Sequence, residues 1–121
     1  MKVLLVDNRT LFLQGLRSIL QSGGIEVVGM ALDGEEALAK ARLLQPDVII
    51  LNIIGDGREG LKTIRLVNNE IPAARIIVFA DGEEGLRVAA QNGASGYLLS
   101  DIKGDELLQK LREMEKGTIK C

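Results

Sequence analysis

Five short apolar runs, spread along 121 residues and separated by stretches of helical spacing, constrain this chain more than any other feature. The runs are Val3 to Val6, Glu26 to Met30, Val48 to Leu51, Ile76 to Phe79 and Gly96 to Leu99. They are rich in Val, Ile and Leu, and three are nearly continuous in apolar residues, as strands buried on both faces must be. Between them, Phe12, Leu16, Ile19 and Leu20 share one helical face, and Ala37, Ala41 and Leu44 a second. Leu61, Ile64 and Asn68 mark a weaker third face, and Leu107, Leu111 and Met114 the last. Strand and helix alternate five times, which predicts a parallel sheet covered by helices on both faces and joined by right-handed crossovers. The expected fold is a three-layer α/β domain.

The stop signals agree with these spans. Gly23-Gly24 closes the first helix, Asp33 with Glu36 three residues on resembles a capping box, and Pro46 and Pro72 stand just before strands. Residues 1–121 fit one domain, with no room for a second. Phe12, Phe79 and Tyr97 are the only aromatic residues, so the core must be built from Leu, Ile, Val and Ala.

Fifteen basic and seventeen acidic residues are interspersed, giving a formal net charge of −2. No basic patch marks a nucleic-acid footprint, and direct nucleic-acid binding by this domain is not expected. Cys121 is the single cysteine, which excludes an intrachain disulfide, and the chain has no histidine, the commonest metal ligand and general base. A reducing, cytoplasmic setting follows. The opening apolar run meets Asp7 too soon for a signal peptide, and no run approaches the roughly 18 residues of a membrane span, so a soluble protein is expected.

In such sheets ligands and chemistry lie beyond the carboxyl ends of the strands, where strand order reverses. That directs attention to Asp7 and Asn8, Asn52 to Gly60, Ala80 to Glu83, and Ser100 with Asp101. Of the four residues that end or follow these runs, Asp7, Asn52, Ala80 and Ser100, only Asp7 is charged.

At these positions the chain resembles a receiver domain of bacterial two-component response regulators, in particular those that precede a LuxR-type helix-turn-helix. The resemblance is carried by Val3-Leu4-Leu5-Val6-Asp7-Asn8, by Leu11-Phe12 with Gly15-Leu16, and by Val27-Val28-Gly29-Met30-Ala31 with Asp33-Gly34-Glu35-Glu36-Ala37-Leu38. Pro46-Asp47-Val48-Ile49 and Gly93-Ala94-Ser95-Gly96-Tyr97-Leu98-Leu99 complete it, so that it covers essentially the whole chain. It implies a flavodoxin-like sandwich with five parallel strands in the order 2-1-3-4-5. It also implies transfer of a phosphoryl group from a histidine kinase to an aspartate ending the third strand, assisted by magnesium on acidic residues.

Here the acceptor position is Asn52. A carboxylate oxygen attacks phosphorus to give an acyl phosphate, whereas the neutral amide of asparagine cannot form that product. The family's acidic pair is reduced to Asp7 with Asn8, its fourth-strand hydroxyl residue is Ala80, and its fifth-strand lysine is Ser100. Magnesium wants anionic oxygens, so trading carboxylates for amides weakens its binding severely. Ala80 offers no hydroxyl to a phosphoryl oxygen, and Ser100 cannot replace an ammonium as counter-charge. Each replacement alone has an ordinary reading as a loop or capping residue. Four together on one site of an intact scaffold point to lost phosphotransfer.

Gly55-Asp56-Gly57-Arg58-Glu59-Gly60 matches G-x-G-x-x-G with Asp81 about twenty residues on, as a dinucleotide fingerprint requires. The fingerprint belongs after a first strand, however, and this one follows the third. A loop with Gly60 at the family's glycine position is the better reading. Asp56, Asp81 and Asp101 suggest a displaced acidic site with Asp7, but loop aspartates are common turn formers. Tyr97 occupies the position of the family's switch aromatic.

The sequence therefore predicts a degenerate, phosphorylation-independent pseudo-receiver without catalytic residues, metal or cofactor. Reducing the family's carboxylate cluster to Asp7 beside Asn8 and Asn52 removes its self-repulsion. Output is expected through a protein partner or homodimer, using the first and fifth helices or the surface around Tyr97, with no membrane contact. The chain ends at Cys121 just past the fifth helix, so any DNA-binding domain lies outside it. A small-ligand or nucleotide sensor using the strand-end crevice, and a receiver with unconventional phosphotransfer, are the alternatives.

Overall fold

The computed structural model describes residues 1–53 and 58–116. Five strands, β1 (Lys2–Val6), β2 (Glu26–Ala31), β3 (Val48–Asn52), β4 (Arg75–Ala80) and β5 (Gly96–Leu99), form one sheet. Its order is β2-β1-β3-β4-β5 with every neighbouring pair parallel. The helices are α1 (Thr10–Ser22), α2 (Gly34–Leu44), α3 (Arg58–Glu70), α4 (Glu83–Gln91) and α5 (Gly104–Lys116).

Strand periodicity explains why the apolar runs are continuous. Leu4, Val6, Ile49, Leu51, Ile76 and Val78 face one core with Ala37 and Ala41 of α2, Ile64 and Val67 of α3 and Ala89 of α4. The alternate residues Val3, Leu5, Val48, Ile50, Ile77 and Phe79 face the other core with Leu13, Leu16 and Leu20 of α1 and Leu107, Leu111 and Met114 of α5. Each of these strand residues thus has an apolar neighbour layer, which is the three-layer arrangement the alternation predicts.

Several local expectations need correction. On α1 the buried residues are Leu13, Leu16 and Leu20, whereas Phe12 is half-buried and Ile19 is 38% exposed. The helix is turned so that Leu13 faces the sheet, and Phe12 packs beside it, edge-on to Phe79. On α3 the buried stripe is Gly60, Thr63, Ile64 and Val67. Asn68 turns sideways and donates from Nδ2 to the Gly93 carbonyl at 3.0 Å. Helix α4, for which the sequence marks no apolar face, buries only Ala89.

The helix boundaries follow their signals. Gly23 caps α1 and Gly24 takes φ 83°, a region that favours glycine. Asp33 accepts from the Glu36 backbone N–H at 2.8 Å, and Glu36 reaches back one residue further than a capping box requires, accepting from Leu32 N–H at 2.6 Å. Strands β3 and β4 extend to Asn52 and Ala80, which are therefore the last residues of their strands. Gly55, Asp56 and Gly57 of the glycine motif, and Cys121, lie outside the described residues.

Candidate functional site

The parallel sheet carries all its carboxyl ends to one edge. Asp7 directly follows β1, Asn52 ends β3, Ala80 ends β4 and Ser100 follows β5. Order reverses between β1 and β3, and there a cleft of about 280 Å³ opens between the sheet edge and the starts of α2 and α3. Asp7, Asn52, Asp33, Gly34, Glu59 and Gly60 are among its walls. A Cβ on Gly60 would come 3.0 Å from Ile53 Cγ1, so the absent side chain lets the first turn of α3 close on the end of β3.

Asp7 is 3% exposed, and its backbone N–H is fixed by the Ala31 carbonyl at 3.0 Å. Its Oδ1 accepts from the backbone N–H of Arg9 at 3.0 Å and from Arg9 Nε at 3.2 Å. Its Oδ2 accepts from Arg9 Nη2 at 2.9 Å and from Asn52 Nδ2 at 3.0 Å. Burial pushes this carboxyl up, but the Arg9 side-chain hydrogen bonds, those from Asn52 and the Arg9 backbone, and the Arg9 charge outweigh it and hold the group below the usual carboxylate range. The hydrogen bonds to Asp7 in turn raise Arg9 above its ordinary value, against some desolvation and with help from the Asp7 and Asp81 charges. The guanidinium lies 4.2 Å above the Phe12 ring centroid.

The other expected site residues divide. Asn52 is 8% exposed and pairs in register with Phe79 on β4. Its Oδ1 is buried without a hydrogen-bond partner among the described residues. Ala80 is 2% exposed, and its carbonyl accepts from Ser100 N–H at 2.9 Å, which brings those two positions together on the backbone. The Ser100 hydroxyl is likewise buried without a partner among the described residues. Asn8 is exposed and lines the cleft beside Asp7, but is not among the donors to its carboxylate. Tyr97 is 40% exposed on β5 beside the exposed Leu99. Arg9 is the site residue that the sequence reading missed. The available signal was a guanidinium two positions after a strand-end carboxylate, close enough for a fork on its own neighbour.

The family model of the response regulator receiver domain matches residues 3–112. This chain is a receiver domain. Transcriptional regulatory protein MctR of Rhizobium johnstonii is 33% identical over 119 residues, covering 96% of this receiver and 56% of that protein. The nitrate/nitrite response regulator protein NarL of Escherichia coli is 33% identical over 118 residues, covering 95% and 55%. The receiver thus spans little more than half the length of these relatives. Among solved structures, the signal receiver domain of the response regulator NarL from Mycobacterium tuberculosis superposes with a TM-score of 0.84 at 29% identity, covering 96% of both chains. A LuxR-family two-component response regulator from Aurantimonas sp. gives 0.86 at 28% identity, covering 96% of this receiver and 85% of that chain. The domain is thus a response regulator receiver domain with a flavodoxin-like fold, similar to the receivers of NarL- and LuxR-type regulators.

The family's magnesium does not fit the residues of this receiver. Magnesium requires near-octahedral oxygen donors and is usually bound through one or two carboxylates. Both Asp7 oxygens are engaged by N–H donors, and Asn52 presents its amide nitrogen to that carboxylate. Among the described residues, no group of three or more acidic, histidine or cysteine side chains is placed to hold a metal. Asp81 and Asp101, considered above for a displaced site, form no such group with Asp7.

Proposed function

We propose that this receiver takes no part in phosphotransfer and acts as a pseudo-receiver, a regulatory module held in one state. The observation that carries this reading is the Asn52 Nδ2 to Asp7 Oδ2 hydrogen bond at 3.0 Å. The residue at the acceptor position is a neutral donor already committed to its neighbour, where phosphotransfer needs an anionic nucleophile. Ala80 and Ser100 supply neither a phosphoryl-binding hydroxyl of the usual kind nor a counter-charge.

Output then comes from association with a protein partner or a second copy, through α1 and α5 or the exposed Tyr97 and Leu99 surface of β5. In a longer protein, a following DNA-binding domain would carry that output to transcription, as the names of the relatives suggest, while this domain makes no nucleic-acid contact of its own. Among the described residues no helix is long and apolar enough to cross a membrane, which supports a cytoplasmic place for this work.

Intact-mass measurement after incubation with magnesium and acetyl phosphate tests the reading directly. The mass is expected to stay unchanged and the melting temperature not to rise with magnesium. A covalent phosphoryl adduct would establish the unconventional phosphotransfer alternative instead. The cleft of about 280 Å³ at the β1/β3 switch point, with the unpartnered Asn52 Oδ1 on a residue of its wall, favours a second reading as a small-ligand sensor. Saturable stabilisation by nucleotides in the same thermal assay would select it.

A further inference from the structure

We infer that Arg9 is the chain's own counter-cation, filling the place at Asp7 that a divalent ion would take and closing the site to metal. This deepens the pseudo-receiver reading and rests on it.

A hard cation binds through carboxylate lone pairs, and one ionised carboxylate offers about four such positions. At Asp7 the donors are Arg9 N, Nε and Nη2 with Asn52 Nδ2, at 3.0, 3.2, 2.9 and 3.0 Å. They saturate both oxygens. The Asp7 side chain is 1% exposed and that of Arg9 48% exposed, so the guanidinium reaches from solvent to a buried carboxylate. An ion that is to bind Asp7 must displace these donors, three of which belong to Arg9.

Moving Arg9 is opposed from more than one side. The fork on Asp7 is lost, and so is the contact with the Phe12 ring at 4.2 Å. Phe12 in turn meets Phe79 edge-on, with centroids 6.5 Å apart and an interplanar angle of 83°. Asp81, on the loop after β4, adds a second negative charge that favours Arg9 in its place. A planar, permanently charged guanidinium is suited to this post, whereas a lysine supplies charge without the fork. The peptide links from Asp7 to Arg9 make the cation intramolecular, so no solution concentration of magnesium sets its occupancy. Chain connectivity thus replaces metal supply, and the state of the site becomes independent of that supply.

The test uses the full chain with magnesium chloride as the probe and sodium chloride at matched ionic strength as the control. In nitrogen-15 NMR of the wild type, Arg9 Nε–H should exchange with water more slowly than Nε–H of the exposed Arg17 and should not shift with magnesium. Equal exchange rates overturn the inference. In a second arm, Asn52→Asp restores a carboxylate, and magnesium affinity is compared between N52D and R9A/N52D. At least tenfold tighter binding in the double variant is expected, and equal affinities overturn the inference. A double variant that folds only with magnesium counts in its favour. If that variant does not fold at any magnesium concentration, R9Q/N52D, which removes the charge and keeps a polar side chain, replaces it, and the same comparison decides. A phosphoryl adduct on wild type would instead defeat the pseudo-receiver reading, so the two failures are distinguishable.

Discussion

The two halves of the strand-end crevice treat their polar groups in different ways. Over β1 and β3 they are connected: Asp7, Arg9 and Asn52 form a network in which the carboxylate is fully paired. Over β4 and β5 they are few: Ala80 has a buried methyl, and Ser100 a buried hydroxyl with no hydrogen-bond partner among the described residues. A buried charge forces such a difference. An unpaired carboxylate cannot persist in an apolar setting, so Asp7 requires partners. A lone buried hydroxyl costs only about 1–3 kcal/mol, which a fold can carry.

The contrast breaks most readily at Arg9. Arg9→Ala should leave Asp7 buried and underpaired, costing about 2–3 kcal/mol, less than the 3–5 of a fully buried pair because the guanidinium is half exposed to solvent. Urea denaturation measures this, and a loss under about 0.5 kcal/mol would reduce the network to an ordinary surface ion pair.

The next effect is on pH. Because the Asp7 carboxyl is lowered in the folded state, the stability it contributes is present in full above its unfolded value, near 3.9, and is lost as pH falls through the folded value. Melting temperature should therefore fall with acidification from about pH 4 downward, and less steeply in Asp7→Asn. Equal slopes in the two proteins would show that other carboxylates govern acid unfolding.

Asn52→Ala should cost about 1 kcal/mol or less, because it removes one hydrogen bond to Asp7 and, with it, the unpartnered Oδ1. A larger loss would mean that Asn52 matters more to the network than one donor. The smallest effect is expected in the half over β4 and β5. Ser100→Ala should be neutral or stabilising by up to about 1 kcal/mol, since it deletes a hydroxyl with no partner. Destabilisation on removing the hydroxyl would show that the two halves are not so different, and that Ser100 has a hydrogen-bond partner in solution.

Much of this was legible in the chain. Continuous apolar runs of four or five residues require a sheet covered on both sides, and the strand faces segregate into the two cores as period-two alternation demands. Where a helical stripe was ambiguous, tertiary contact decided. Phe12 and Leu13 on α1 are both apolar, and only the sheet, with Phe79 at hand, selects Leu13 for the core and Phe12 for the flank. On α3 the glycine at position 60 and the threonine at position 63 carry little hydrophobic signal, yet both face inward because close packing there favours small side chains. Helix α4 is short and buries one alanine, too little apolar surface to leave a pattern.

The sequence by itself determined which groups stand at the strand ends, because strand alternation fixes where each run stops and residue identity fixes what it can do. Asparagine at position 52 excludes an acyl phosphate there whatever the packing. Only the tertiary structure decided which cation meets Asp7 and which polar atoms go without partners. Hydrogen bonds and ion pairs depend on distances of a few ångströms between residues remote in sequence, such as Asn52 and Asp7, and on the direction a flexible side chain takes. Arg9 is near Asp7 in sequence, but its turn toward the carboxylate also depends on Phe12 and Asp81, which the fold gathers around it.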